Sequence, residues 1–391
     1  MLASKENRIS TLQGYRAMAF LLIFLSHVEI VSSGVLGVSM FLTLSGFLMS
    51  ITYFPRIKEL KSGVKEYAKF TYKKVRKLIP LHVITFSAMA VFNFLLLYKA
   101  GFPREDLKNY IVALPFNLTM LQAWLPKREL YFSFNKVSWY LSVCTFCYFV
   151  FTPFFQCIVY KNGINGKTKS KKKAGNVIVA LCIVILLIQI LLAVIVSEIN
   201  HKCVETGFIK WLTYICPAFR TGDFFLGILL GLLITINTDK NKLYCRKRKK
   251  ENLKCNIIYT LLELLWIGLI VFQLTIQNRG LVPDMIRFCV YWTDISLLGI
   301  VLFYNSKDCK IGWVGWGGGC ISALFRSKPL VVLGNISTQT FLIHQMVIHL
   351  CKFVVKNIVV LTFVSLIVTI ILSVIWINLE QFVLGLKRNN H

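Results

Sequence analysis

The sequence predicts an all-α integral membrane protein of about ten transmembrane helices, with both termini cytoplasmic and no fused soluble domain. Three observations carry this reading. Of the 391 residues, 56% are hydrophobic and the mean hydropathy is +0.65, a bias that a soluble domain of this size does not reach. Apolar runs of spanning length recur ten times along the chain. The basic residues also segregate. With the N-terminus inside, 31 of the 45 Lys and Arg fall on inner loops and termini and 12 on outer loops, as the positive-inside rule requires. The chain 1–391 therefore reads as one transmembrane domain.

The first span, near residues 11–32, carries Arg16 and His27. Eleven helical steps turn through about 1100°, so both side chains lie on one face, with a rise of about 16 Å between them. A lone arginine near the centre of a span costs about 2.5–3.5 kcal/mol on insertion scales. Retaining both groups on one stripe points to a polar cavity with a fixed cation, suited to phosphate, and an imidazole, suited to moving a proton. The segment runs beyond signal-peptide length and lacks a small-residue cleavage pattern, so it is expected to be retained.

The second span, near 35–54, follows after a few residues, which makes the pair an antiparallel hairpin. Gly34, Gly37, Ser39, Ser45 and Gly46 supply small surfaces for close helix approach; the same residues would leave a groove for a thin ligand against the Arg16/His27 face. The third span, near 79–98, is preceded by Lys69, Lys73, Lys74, Arg76 and Lys77, then Pro80 and His82. These cations are either a topology anchor or the inner mouth of a cavity that holds a polyanion. His82 is expected at the interface. The stretch 110–125, broken by Pro115 and followed by Pro126, reads as interfacial or re-entrant.

Spans near 137–160 and 177–199 follow. The next, near 211–236, holds Arg220 and Asp223, whose i,i+3 spacing allows them to pair. That pair either relieves its own burial or shapes the site. Spans near 257–276 and 286–304 precede one near 330–351, where Gly334 and Ser337 suit a helix start. His344 and His349 lie further along it and are expected to hydrogen-bond between helices. The last span is near 356–379.

The net charge of +28 does not indicate nucleic-acid binding, because it is distributed as a topology signal; the same inner loops, including 167–173 and 245–250, should attract anionic lipid headgroups. The twelve cysteines do not form a disulfide framework, and the Cys144/Cys147 pair has no matching second pair, so no metal is expected. No internal repeat is evident, which disfavours common transporter architectures.

Taken in order, these motifs resemble the acyltransferase 3 family of polytopic membrane enzymes. Arg16 to His27 looks like the family's R-x10-H signature, and Phe41-Leu-Thr-Leu-Ser45-Gly-Phe-Leu48 is similar to its F-x-x-S-G-F-L segment. Lys77-Leu-Ile-Pro80 resembles its R-x-x-P step with lysine for arginine, and Trp139-Tyr-Leu-Ser142 its W-x-L-S motif. The Arg220/Asp223/Gly227 and Gly334 to His344 stretches match its later helices. In one place the chain departs from the pattern. Where the family often has a glutamate two residues after the W-x-L-S serine, this sequence has Cys144, and Glu29 projects about 200° away from His27 on an ideal helix.

The resemblance implies O-acyl transfer, acetyl in the first instance, from cytoplasmic acyl-CoA to a hydroxyl of an envelope or extracellular carbohydrate such as capsular or exopolysaccharide. His27 would be the catalytic base. Arg16, Lys73, Lys74, Arg76 and Lys77 would bind acyl-CoA, while Ser45, Trp139, Arg220, Asp223 and His344 would shape the site or bind the acceptor. Direct transfer is preferred over an acyl-histidine relay. The implied setting is a bacterial inner or cell membrane. The rival reading is a transporter or flippase of lipid-linked saccharide that uses the same groove without acyl chemistry.

Overall fold

The computed structural model describes residues 9–161, 164, 171–201, 206–237, 252–287, 290–306 and 318–389. Among them there is no strand. The helices are α1 (Ser10–His27), α2 (Gly34–Tyr53), α3 (Val64–Val75), α4 (Ile79–Lys99), α5 (Arg104–Leu118), α6 (Arg128–Tyr131), α7 (Trp139–Lys161), α8 (Lys171–His201) and α9 (Thr206–Lys210). After a π-helical turn, Trp211–Ile215, come α10 (Pro217–Asn237), α11 (Asn252–Asn278), α12 (Asp284–Arg287), α13 (Thr293–Asn305), α14 (Cys320–Phe325), α15 (Lys328–Asn335), α16 (Ser337–Val354) and α17 (Ile358–Asn389). The basic stretch 245–250 and residues 167–170 of the run 167–173 lie outside the described residues.

Among the described residues, seven helices are long and apolar enough to cross a membrane, and an eighth follows if α15 and α16, bent by 79° at their junction, form one span. The protein is an integral multi-pass membrane protein. Length and apolarity alone do not reach the expected ten. The first expected span is an 18-residue helix, α1, so polar on its packed faces that it falls short of the apolarity of a lipid-facing segment. The segment expected at 286–304 is broken into α12, a 3-10 turn over Val290–Trp292 and α13. The segment expected at 330–351 is the bent pair, and Ser337 opens α16 without a side-chain cap. The stretch 110–125 is the end of α5 and a 3-10 turn, Gln122–Trp124.

Contacts fix the directions of the helices. Gly37 of α2 abuts Ala19 and Ile23 of α1, and Gly34 abuts Ser26, so α1 and α2 form the expected antiparallel hairpin. Helix α16 runs parallel to α1: Gly334, just before it, touches Gln13, Phe24 meets His344, and Lys352 reaches Glu29 just past the end of α1. Helix α13 runs antiparallel, with Tyr15 Oη donating to Ser296 O at 2.8 Å and Thr11 Oγ1 to Phe303 O at 2.7 Å.

Helices α2 and α10 are the tightest pair, and glycine is the reason. A Cβ on Gly227 would strike the Thr43 carbonyl oxygen, and one on Gly46 would strike that of Phe224. Two helices approach this closely only where a side chain is missing from each. At the opposite end of the bundle from His27, the buried Glu263 carboxylate accepts from the backbone N–H groups of Gly319 and Ile321 at 3.1 and 2.8 Å, and from Ser322, holding the start of α14. Amphipathic α3 lies across that same end, with Phe70 against Tyr53 of α2 and Phe151 of α7.

Candidate active site

A cavity of about 200 Å³ opens at the C-terminal end of α1, where the chain turns into α2. Ile23, Ser26 and His27 of α1 and Gly34, Val35 and Val38 of α2 form one wall. Trp139 and Phe341 form another, and the ring of Tyr214 packs 4.9 Å from that of Trp139. Lys210, Gln277, Arg287 and Ser32 complete the polar side. The π-helical turn places Lys210 and Tyr214 on this wall together, and Trp211 within it ties the turn to the Ala123 carbonyl at 3.0 Å. Single π turns recur at functional sites because the extra residue re-aims side chains.

His27 is the last residue of α1, and its Nδ1 lies 2.8 Å from Nε2 of His344. His344 Nδ1 in turn lies 2.7 Å from the Phe341 carbonyl and 3.2 Å from that of Thr340. A carbonyl oxygen accepts and does not donate, so His344 Nδ1 carries a hydrogen. The His344 ring is fully buried against Phe20, Phe24 and Phe341, where a charge without a carboxylate partner is costly, so it is neutral and its Nε2 accepts. His27 Nδ1 must then donate. That leaves His27 Nε2 with a lone pair, on a residue that lines the cavity. Asn135 Nδ2 donates to the Leu342 carbonyl at 2.8 Å and pins α16 at this depth.

Behind the Tyr214 wall lies a second buried cluster. Arg220 Nη2 and Asp223 Oδ2 are 2.9 Å apart and both side chains are fully buried. Ser39 Oγ accepts from Arg220 at 3.1 Å and donates to Asp223 at 3.2 Å, and Thr293 Oγ1 donates to Asp223 at 2.9 Å. The cluster joins α2, α10 and α13. Its link to the cavity is the Arg220 guanidinium, 5.9 Å from the Tyr214 ring centroid.

The structure sorts the expected site residues into separate places. His27 and Trp139 line the cavity, and His344 touches His27 from behind. Arg16 is half-buried, within electrostatic reach of Tyr148, and is not among the lining residues. Lys73, Arg76 and Lys77 are exposed at the opposite end of α1, with Lys74 held 4.8 Å over the Tyr53 ring. Ser45 is half-buried next to the Gly46 contact and does not line the cavity. His82 is fully buried, its Nε2 2.8 Å from the Asn117 carbonyl, where α5 folds back over α4. Glu29 lies beyond the end of α1, at φ 68°, and pairs with Lys352 at 2.8 Å. Cys144 is buried and hydrogen-bonded to Tyr140.

Sequence reasoning missed Lys210, Tyr214, Gln277 and Arg287. They come from segments far apart in the chain, and each looks locally like an ordinary residue at the end of an apolar run. Gln277 carried one readable signal: it is an uncharged polar group at the end of a span.

Neither the curated proteins nor the solved structures include a match. The family comparison does: the chain matches the acyltransferase domain that defines the acyltransferase 3 family over residues 9–378, nearly its whole length, and it belongs to that family of membrane acyltransferases.

Proposed function

We propose that this protein transfers an acyl group, acetyl in the first instance, from acyl-CoA to a hydroxyl of a cell-envelope or extracellular carbohydrate. We also propose that its chain makes ten passes, with both termini cytoplasmic, in the inner or cell membrane of a bacterium. The observation that carries the reading is the His27–His344 hydrogen bond. It presents an imidazole lone pair to a cavity walled by Trp139 and Tyr214, the kind of aromatic surface on which a sugar ring packs.

In the proposed step the acceptor hydroxyl gives its proton to His27 Nε2 as its oxygen attacks the thioester carbonyl. The C–S bond breaks, the new ester C–O bond is complete, and the imidazolium returns the proton to the departing thiolate. General-base assistance of this kind is worth about 10²–10⁴ in rate. His344 holds the His27 tautomer, the work an orienting carboxylate does in other triads, which accounts for a site that functions with Cys144 where relatives carry glutamate. The acyl-CoA is a substrate reaching the site from the opposite end. Exposed Lys73, Arg76 and Lys77 would receive its phosphates there, and Arg16 stands between them and His27.

The test is transfer of label from radioactive acetyl-CoA into envelope carbohydrate by membranes holding equal amounts of wild type, His27→Ala and Arg16→Ala. Loss in both variants is expected. Transfer that survives His27→Ala removes the base mechanism, and a wild type inactive with every native acceptor supplied sinks the transferase reading in favour of transport.

A further inference from the structure

We infer that Gln277 sets the acceptor specificity of this site: its Oε1 accepts a hydrogen bond from a second hydroxyl of the acceptor while the hydroxyl to be acylated faces His27. The substrate class is then a ring bearing at least two hydroxyls and not a simple alcohol; this rests on the proposed transfer. Gln277 is the penultimate residue of α11, is 3% exposed, and lines the cavity together with His27. Its Nε2 donates to the Ser32 carbonyl at 2.9 Å. A carbonyl only accepts, so this bond fixes which end of the amide is which. The Oε1 end is left over, and it has no hydrogen-bond partner.

Several buried polar side-chain atoms in this bundle lack a partner, but among the described residues only the one on Gln277 belongs to the wall of the cavity. An acceptor buried with nothing to accept is costly, and a donor that arrives with the ligand removes the cost. The amide is also held in register with His27. Ser32 lies in the turn that follows His27, and Ser33 Oγ ties that turn back to α1 by donating to the Leu22 carbonyl at 2.8 Å. Two hydrogen-bond acceptors, His27 Nε2 and Gln277 Oε1, are thus anchored to one turn, while Trp139 and Phe341 give the same cavity its aromatic faces. A pyranose ring matches both features, with hydroxyl donors around its edge and C–H groups on its faces. A monohydric alcohol has one donor and leaves one acceptor open.

The test is a double-mutant cycle between Gln277 and the hydroxyls of a ligand, read first without acyl transfer. Carbethoxylation of His27 in the purified full-length protein is followed by peptide mass. The probes are the methyl pyranosides of glucose, galactose, mannose and N-acetylglucosamine, each with its monodeoxy analogues. At least one pyranoside should protect His27, and removal of either of two of its hydroxyls should weaken that protection about tenfold. In Gln277→Leu one of those two losses should vanish while the other remains. Gln277→Met, close to glutamine in length, carries the same comparison where Gln277→Leu gives no folded protein.

Protection by no pyranoside overturns the inference, as does a pattern of monodeoxy losses that is the same in wild type and variant. A second reading uses the protecting pyranoside as acceptor and radioactive acetyl-CoA as donor. There Gln277→Leu should raise KM for the pyranoside about tenfold, with the greater part of the loss in KM rather than kcat. A loss confined to kcat overturns the assignment to specificity. Acyl transfer without the hydroxyl coupling removes the inference and leaves the transferase standing. Coupling with no acyl transfer to any acceptor sinks the transferase and keeps the hydroxyl site.

Discussion

The His27–His344 pair and the Arg220–Asp223 cluster are both polar groups buried in the same bundle, yet they are finished differently. Each Asp223 oxygen has a hydroxyl donor, and Ser39 bridges acid and base, so three helices are closed on one another. The histidine pair is a chain with a direction. A backbone carbonyl fixes one ring, that ring fixes the next, and the last nitrogen is left for something that enters the cavity. Buried polar groups closed on one another across three helices hold architecture together, whereas a chain of them that ends at a cavity is equipped for chemistry.

Breaking the closed cluster should have the largest effect. Asp223→Ala strands a buried guanidinium, which costs about 3–5 kcal/mol; the expected result is loss of folded protein, seen as a collapsed yield of monodisperse material in detergent. The paired change Arg220→Met with Asp223→Leu should restore much of that yield, since an apolar pair of similar volume avoids the stranded charge. If Asp223→Ala folds normally and loses only activity, the contrast drawn above fails.

Opening the histidine chain comes next, and it should leave folding alone. His27→Ala is expected to lower acyl transfer by about 10²–10⁴, with an unchanged melting profile. His344→Gln should cost less, about 10–100-fold, as loss of a partner that orients a functional ligand usually does. Its effect should fall on kcat rather than KM, because the base would be present but not held. Equal losses from both variants in KM alone would make the pair a binding element and not a base.

The smallest effect belongs to the rim. The Lys352 ammonium beside Glu29 holds its carboxyl below the usual range. With its folded value depressed, Glu29 contributes stability above the unfolded carboxylate value and loses it as pH falls through the folded one. Both side chains are substantially exposed, 74% for Glu29 and 39% for Lys352, so screening keeps the contribution near the low end of about 0.2–1 kcal/mol. Glu29→Gln should therefore shift thermal stability at neutral pH barely measurably, and less again in acid.

The sequence made α1 and its stripe legible because Arg16 and His27 stand on one helix, and helical geometry relates them without any tertiary information. It made the α1–α2 hairpin legible through loop length, and the Arg220–Asp223 pair through i,i+3 spacing. The His27–His344 bond was not legible, since its partners are 317 positions apart and joined only by the parallel packing of α1 and α16. His344 could be named as a polar group in a span, but its partner could not. Bends escaped for a related reason. The 79° break between α15 and α16 lies beside Gly334, whose missing side chain leaves room for the Gln13 backbone of another helix altogether.

The glycine contacts between α2 and α10 bear on what the protein can do during a working cycle. Alternating access requires one half of a bundle to rock against the other around a fixed site. Here a helix from the first fifth of the chain and one from beyond its midpoint meet backbone to backbone at Gly46 and Gly227, with no side chain between them to slide or re-pack. The two helices are keyed together like the spine of a book. Substrates must reach such a site by moving the lighter pieces around it, and a molecule built on that plan is better suited to passing a small acyl group through itself than to carrying a saccharide across.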